Sequence, residues 1–187
     1  MNVRAAFYRG FALSGFFRRF EAMKLSTRSI TRAAMIAALY CVLTLLFQPI
    51  SYGPVQFRVS EALTLLPVFT ADAVPGLFIG CLLANLLGGA LWYDVVFGAL
   101  ATLLAALCTR RLRSRPALGA AMPVLFNGLI VGPVVYFAYS KAPDGPFSLP
   151  LLLKDVGSVA LGEAAVCFIL GLLLVAALRK ANRRLWE

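Results

Sequence analysis

Three clusters of basic residues punctuate this chain, and between them lie apolar runs that no water-soluble fold can cover. The first cluster extends from Arg4 to Arg32, the second is Arg110, Arg111, Arg113 and Arg115, and the third is Arg179, Lys180, Arg183 and Arg184. Short basic clusters flanking long apolar runs mark the cytoplasmic ends of membrane spans, because Lys and Arg are retained on that side. The composition agrees. Of 187 residues, 61% are hydrophobic and 14% charged, where a soluble domain carries about 25% charged residues. A water-soluble enzyme, a disordered segment and a nucleic-acid-binding module are excluded. The net charge of +10 sits on the flanks of apolar runs rather than on one basic face.

A span needs about 20 apolar residues, within a range of roughly 17–25. The first candidate is 33–47, closed by Pro49, Tyr52, Gly53 and Pro54. The stretch 59–91 is too long for one span, and Pro67, the Thr70–Ala73 segment and Pro75 divide it into about 59–70 and 73–90. The fourth candidate is 94–109. The fifth, 117–139, contains Pro123 and Pro133, where kinks are expected. A polar loop with Lys141, Pro143, Asp144, Gly145 and Pro146 precedes the sixth, 156–178. Six spans with both termini inside bring all three basic clusters to one side, whereas five do not. Residues 1–23, rich in Phe and Arg, are expected to form an extension upstream of a natural start at Met23-Lys24. A basic interfacial helix is the other reading. The membrane domain is then 24–187.

The chain has no His and four scattered Cys (Cys41, Cys81, Cys108, Cys167) with no Cys-x-x-Cys pair. That removes the commonest general base and leaves metal-site spacing unsupported, so the cysteines are expected to pack as small hydrophobes. An intramembrane enzyme would need a nucleophile with a positioned base, or a metal. No enzymatic activity, cofactor or metal is expected.

Ionisable residues within a span are costly and point to a site. Glu61 follows Arg58 by three residues and is open to a neutralising role. Asp72 falls in an inner turn, solvated or capping a helix. Asp94 follows Trp92 and Tyr93 at the outer end of the fourth span, as a helix cap or a site residue. Glu163 is placed roughly 10 Å into the sixth span, with no basic residue within eight positions; a buried pair with Arg58 is its structural alternative. Asn85 and Asn127 complete the polar set, as site residues or interhelical glue. In the six-span order Arg58, Glu61, Asn85, Trp92, Asp94 and Glu163 fall in the outer half and Asn127 near the midplane. That pattern predicts an outward-opening pocket for a small polar ligand. Gly76, Gly80, Ala84 and Gly88 form a small-residue stripe for packing, and Ala33, Ala34, Ala37 and Ala38 form another on the first helix, for packing or for a partner protein.

The runs Thr31–Tyr40, Phe57–Pro67, Pro75–Gly89 and Asp94–Gly98 resemble the QueT family, substrate-binding S-components of energy-coupling factor (ECF) transporters. The resemblance covers about residues 24–180. It implies an all-α six-transmembrane-helix bundle of the S-component type in the bacterial cytoplasmic membrane. It implies a queuosine precursor as ligand, a 7-deazaguanine such as preQ1 or preQ0. It further implies docking through an Ala-x-x-x-Ala pattern, met here by Ala33/Ala37 and Ala34/Ala38, on a transmembrane coupling protein carrying two ABC ATPases. The chain lacks a GxxxxGK[ST] loop, so ATP dependence would come from those partners. For such a ligand Glu163 is expected at the guanine edge and Asp94 or Glu61 at the ammonium. Asn127 and Asn85 are expected at remaining polar atoms, Trp92 in stacking or closure, and Arg58 within the site. An S-component for a different vitamin and a stand-alone secondary carrier are the alternatives. The latter usually needs inverted repeats. A membrane scaffold without a ligand leaves Glu163 unexplained.

Overall fold

The computed structural model describes residues 26–51, 57–142 and 145–184. The expected extension 1–23, the connection at Tyr52, Gly53 and Pro54, and Pro143 and Asp144 lie outside the described residues. Secondary structure among the described residues is helical. Helix α1 is Thr27–Leu46, followed by a short turn, Gln48–Ser51. Helix α2, Val59–Val68, is wound as a 3₁₀ helix. Helices α3 and α4 are Ala73–Leu87 and Trp92–Arg111. Helix α5, Pro116–Ser140, is continuous. Helix α6 joins Leu149–Ala165, a π segment Val166–Gly171 and Leu172–Arg184.

Four of these (Thr27–Leu46, Trp92–Arg111, Pro116–Ser140 and Leu149–Ala181) are long and apolar enough to cross a membrane, and α2 and α3 are shorter apolar helices. Their outer faces carry large apolar side chains such as Met35, Leu86, Leu129, Leu161 and Ile169. Lipid, rather than water, suits that surface.

Side-chain contacts fix the running directions. Glu61 and Ser60 on α2 meet Tyr40 and Thr44 on α1 in reversed order, so α1 and α2 are antiparallel. Gly76 faces Ala33 and Gly80 faces Ala37, so α1 and α3 run the same way. Asn85 meets Asp94, Thr109 meets Gly119 and Gly132 meets Val156, which alternates α3 to α6. One end of the bundle therefore gathers Arg28, Arg32, Arg110 and the start of α5, with Arg32 paired to Asp72 at 3.5 Å. The other end gathers the starts of α2, α4 and α6.

Helix α2 is the centre of the packing. It touches all five other helices, and Ser60, Glu61, Ala62, Leu63, Thr64, Leu65 and Pro67 are buried. Runs of 3₁₀ helix beyond 3–4 residues are uncommon; here ten residues are held by neighbours rather than by propensity. Its loose end is tied down, with Arg110 Nη1 donating to Pro67 O at 2.9 Å. At a rise of about 2 Å per residue, α2 spans about 20 Å.

Small residues let α1 and α3 approach. A Cβ on Gly76 would lie 2.7 Å from Ala33 O, and one on Gly80 would lie 2.9 Å from Ala37 O. The obstacle is backbone, so a side chain there must push the helices apart. Gly80→Val is therefore expected to lower the unfolding stability of the purified protein by about 1–3 kcal/mol. An unchanged melting temperature would contradict this packing.

Two sequence expectations are corrected. The sixth helix starts at Leu149, not near 156, because Ser148-Leu-Pro150 places a proline in the first turn, where it is compatible with helix. By helical rise Glu163 is then about 21 Å from the start of α6, rather than about 10 Å into it. Pro123 and Pro133 lie within the continuous helix α5, and π segments at Asn127–Val131 and Tyr136–Ser140 follow them. Wider turns of this kind keep the backbone bonded around such residues.

Candidate functional site

Helix α1 presents one buried stripe, Ala37, Tyr40 and Thr44, at the spacing of a single helical face. Its polar members meet the first turn of α2. The Tyr40 hydroxyl donates to Glu61 Oε1, and the Thr44 and Ser60 hydroxyls lie 2.6 Å apart. Glu61 is fully buried, and its second oxygen, Oε2, has no hydrogen-bond partner among the described residues. Thr64 Oγ1 donates to Glu61 O at 2.5 Å, fixing the turn.

Glu163 approaches from α6, where Asp155, Val159, Gly162 and Glu163 make the buried stripe. It is 3% exposed and is touched by the Asn127 side chain from α5. Cys167 Sγ lies 3.8 Å from Glu163 Oε2 and 3.7 Å from Glu61 O, so this thiol lies between the Glu163 carboxylate and the backbone carbonyl of Glu61. The buried Arg58 guanidinium, its Nε 3.5 Å from Ser51 O, is close enough to act electrostatically on both carboxylates. Two acids thus face one guanidinium.

A third buried acid stands on α4. Asp94, 1% exposed, receives a 3.4 Å hydrogen bond from Tyr139 on Oδ2, and its Oδ1 has no partner among the described residues. Asn85 Nδ2 donates to Asp94 O at 3.2 Å and reaches Cys81 Sγ at 3.7 Å. Thr102 also donates to that sulfur, at 3.3 Å. Tyr40 is in contact with Cys81 as well. A polar track therefore joins Glu61, Tyr40, Cys81, Asn85 and Asp94 through α1 to α4.

Of the residues expected from sequence, Arg58, Glu61, Asn127 and Glu163 come together, and Asn85 and Asp94 form the adjoining pair. Trp92 is 71% exposed and packs edge-on against Tyr93, ring centroids 5.2 Å apart. Asp94 does not hold the N-cap position, which is Leu91. Among the four alanines of α1, Ala37 is buried against Gly80, and Ala33 faces Gly76 through its backbone oxygen. Ala34 and Ala38 are exposed. Cys81 and Cys167 pack in the apolar core as expected, and their sulfurs also contact polar groups. Sequence reasoning also passed over Tyr40 and Asp155. Tyr40 was readable, since it falls on the same face as Ala33 and Ala37. Asp155 was hidden by the misplaced start of α6.

Asp72 occupies the N-cap position of α3 without capping it. Its carboxylate instead accepts from Ser29 on α1, from Thr70 at 3.1 Å and from Arg32. The Ser29 hydrogen bond chiefly, then those from Thr70 and Arg32, hold its carboxyl below the usual range, against a smaller opposing effect of burial. A depressed folded value means that this clasp contributes stability above the unfolded carboxylate value of about 3.9 and loses it as pH falls through the folded value. The stability difference between wild type and Asp72→Asn is expected to shrink as pH is lowered into that acid range. A difference independent of pH in thermal unfolding would contradict it.

A family model described as QueT transporter matches residues 30–180. A protein of Lactococcus lactis subsp. cremoris (strain MG1363) named queuosine precursor transporter QueT is 34% identical over 161 residues, which cover 78% of this chain and 89% of that protein. No solved structure matches.

Proposed function

The chain belongs to the QueT transporter family, and on that premise we propose that it is the substrate-binding subunit of an ECF-type uptake transporter for a queuosine precursor. It is a multi-pass membrane protein of a transporter family, not an enzyme. The finer reading is a six-crossing S-component in a bacterial plasma membrane, with the basic end of the bundle cytoplasmic. The ligand is a 7-deazaguanine base, captured from the outer side.

One observation carries this reading: Glu61 and Glu163 are buried together with Arg58 inside the bundle. Two ionised carboxylates against one guanidinium leave a negative charge uncompensated. Burying such a charge without a partner costs several kcal/mol. A guanine-like edge offers adjacent N–H donors that a carboxylate accepts as a bidentate pair, and an ammonium substituent supplies the missing charge. In this reading Glu163 takes the ring edge, with Asn127 and Asn85 at other polar atoms. Asp94 or Glu61 faces the ammonium, Arg58 balances the acids, and the exposed Trp92 closes over the bound base.

Uptake then needs a motor, because the chain has no phosphate-binding loop of its own. A coupling protein bearing two ABC ATPases, docked on the exposed Ala34/Ala38 face of α1, supplies it. Mass spectrometry of the ligand carried through purification in mild detergent tests the proposal. A 7-deazaguanine is the expected passenger, and a chemically unrelated vitamin in its place would overturn the ligand assignment.

A further inference from the structure

Leu65 on α2, Ala120 on α5 and Val175 on α6 pack as one buried layer toward the basic end of the bundle. The faces that build this layer run on into arginines. Arg179 lies one helical turn beyond Val175 on the same face of α6, and Pro116, one turn before Ala120 on α5, is preceded by Arg115. Arg110 reaches this level from α4. Its Nη1 donates to Pro67 O at 2.9 Å and approaches Val68 O at 3.4 Å, at the last turn of α2. Three helices thus each place an arginine at the rim of one helix contact. Arg111, Arg113, Arg115, Arg179 and Lys180 are exposed.

Like charges gathered in this way repel one another unless an anion lies among them. Among the described residues the acid at this end is Asp72, and it is bonded to Ser29, Thr70 and Arg32 on the side of α1 and α3. Toward the membrane from the arginines the surface is apolar, with Leu118, Leu173 and Leu178 exposed. Leu118 lies three residues after Arg115, and Leu178 adjoins Arg179. Cations bordered by exposed leucines match a phospholipid, whose phosphate takes bidentate guanidinium bonds and whose chains cover leucine. A free phosphate would use the arginines and leave the leucines bare.

We propose that the rim formed by Arg110, Arg115 and Arg179 binds the headgroup phosphate of an anionic phospholipid, with its chains along Leu118 and Leu178. Arg110 also ties down the end of α2, so lipid bound here steadies the helix that carries Glu61. The site stands on the membrane bundle alone and is independent of the deazaguanine reading.

The full chain, purified in mild detergent, is titrated with phosphatidylglycerol and separately with phosphatidylcholine, and bound lipid is counted by native mass spectrometry. Phosphatidylglycerol is expected to bind at least about tenfold more tightly. Arg115→Gln combined with Arg179→Gln is expected to cut that preference to less than about threefold. Arg28→Gln combined with Lys154→Gln removes the same charge from exposed residues elsewhere and is expected to keep it. Equal affinity of wild type for the two lipids overturns the site, and this comparison needs no variant to fold. A preference unchanged by the first pair of substitutions, or lost equally with both pairs, overturns it as well. Displacement of bound phosphatidylglycerol by millimolar inorganic phosphate would assign the arginines to a free anion and overturn the lipid.

Discussion

Glu163→Gln is expected to weaken deazaguanine binding by more than tenfold while the bundle stays folded. Glutamine keeps the length of the side chain and can still meet Asn127 and Cys167, so packing around α5 and α6 is preserved. What changes is the acceptor. A carboxylate takes two adjacent N–H donors, whereas an amide takes one and turns its own N–H₂ toward the other. A charge-assisted hydrogen bond contributes about 1.5–3 kcal/mol, and each 1.4 kcal/mol is tenfold in affinity. Calorimetry giving the wild-type affinity would remove Glu163 from the site. A large loss of thermal stability would assign it to the fold instead.

The second large effect concerns the partner. Ala34→Leu and Ala38→Leu are expected to abolish assembly with the coupling protein while leaving ligand affinity unchanged. These two alanines lie on the exposed side of α1, where small residues allow another helix to approach at backbone distance. A leucine there faces lipid in the free protein at little cost, but it separates the two helices in the complex. Ala37 points the other way, into Gly80 and the Tyr40 stripe. Ala37→Leu should therefore disturb the bundle and the binding site rather than docking alone. Co-purification with the coupling module, measured beside ligand titration, separates the two faces. Intact complexes carrying Ala34→Leu and Ala38→Leu would place the docking surface elsewhere.

Much of the fold was legible because basic clusters and apolar length act directly on a chain in a bilayer. The break at Pro67 to Pro75 falls where α2 gives way to α3, and the charge clusters whose ends are described gather at one end of the bundle. The winding of α2 was not legible, since 3₁₀ geometry is imposed by the five helices around it rather than by Val59–Val68 themselves. At the site, Glu61, Asp94, Asn127 and Glu163 were legible as polar residues in apolar surroundings. Their partners were not. Tyr40, Cys81 and Cys167 count as apolar by composition, and only the packing brings the hydroxyl and the sulfurs against carboxylates and amides. Asp155 was lost by an error of seven residues in one helix start, which moved a buried acid into a loop.

The central claim is that this bundle recognises its ligand alone and that movement across the membrane is powered by other proteins. Titrating the purified chain with 7-aminomethyl-7-deazaguanine, with no nucleotide and no partner present, tests it most directly. Saturable binding of one ligand per chain is the predicted result. A folded, monodisperse chain that gives no binding signal would contradict it.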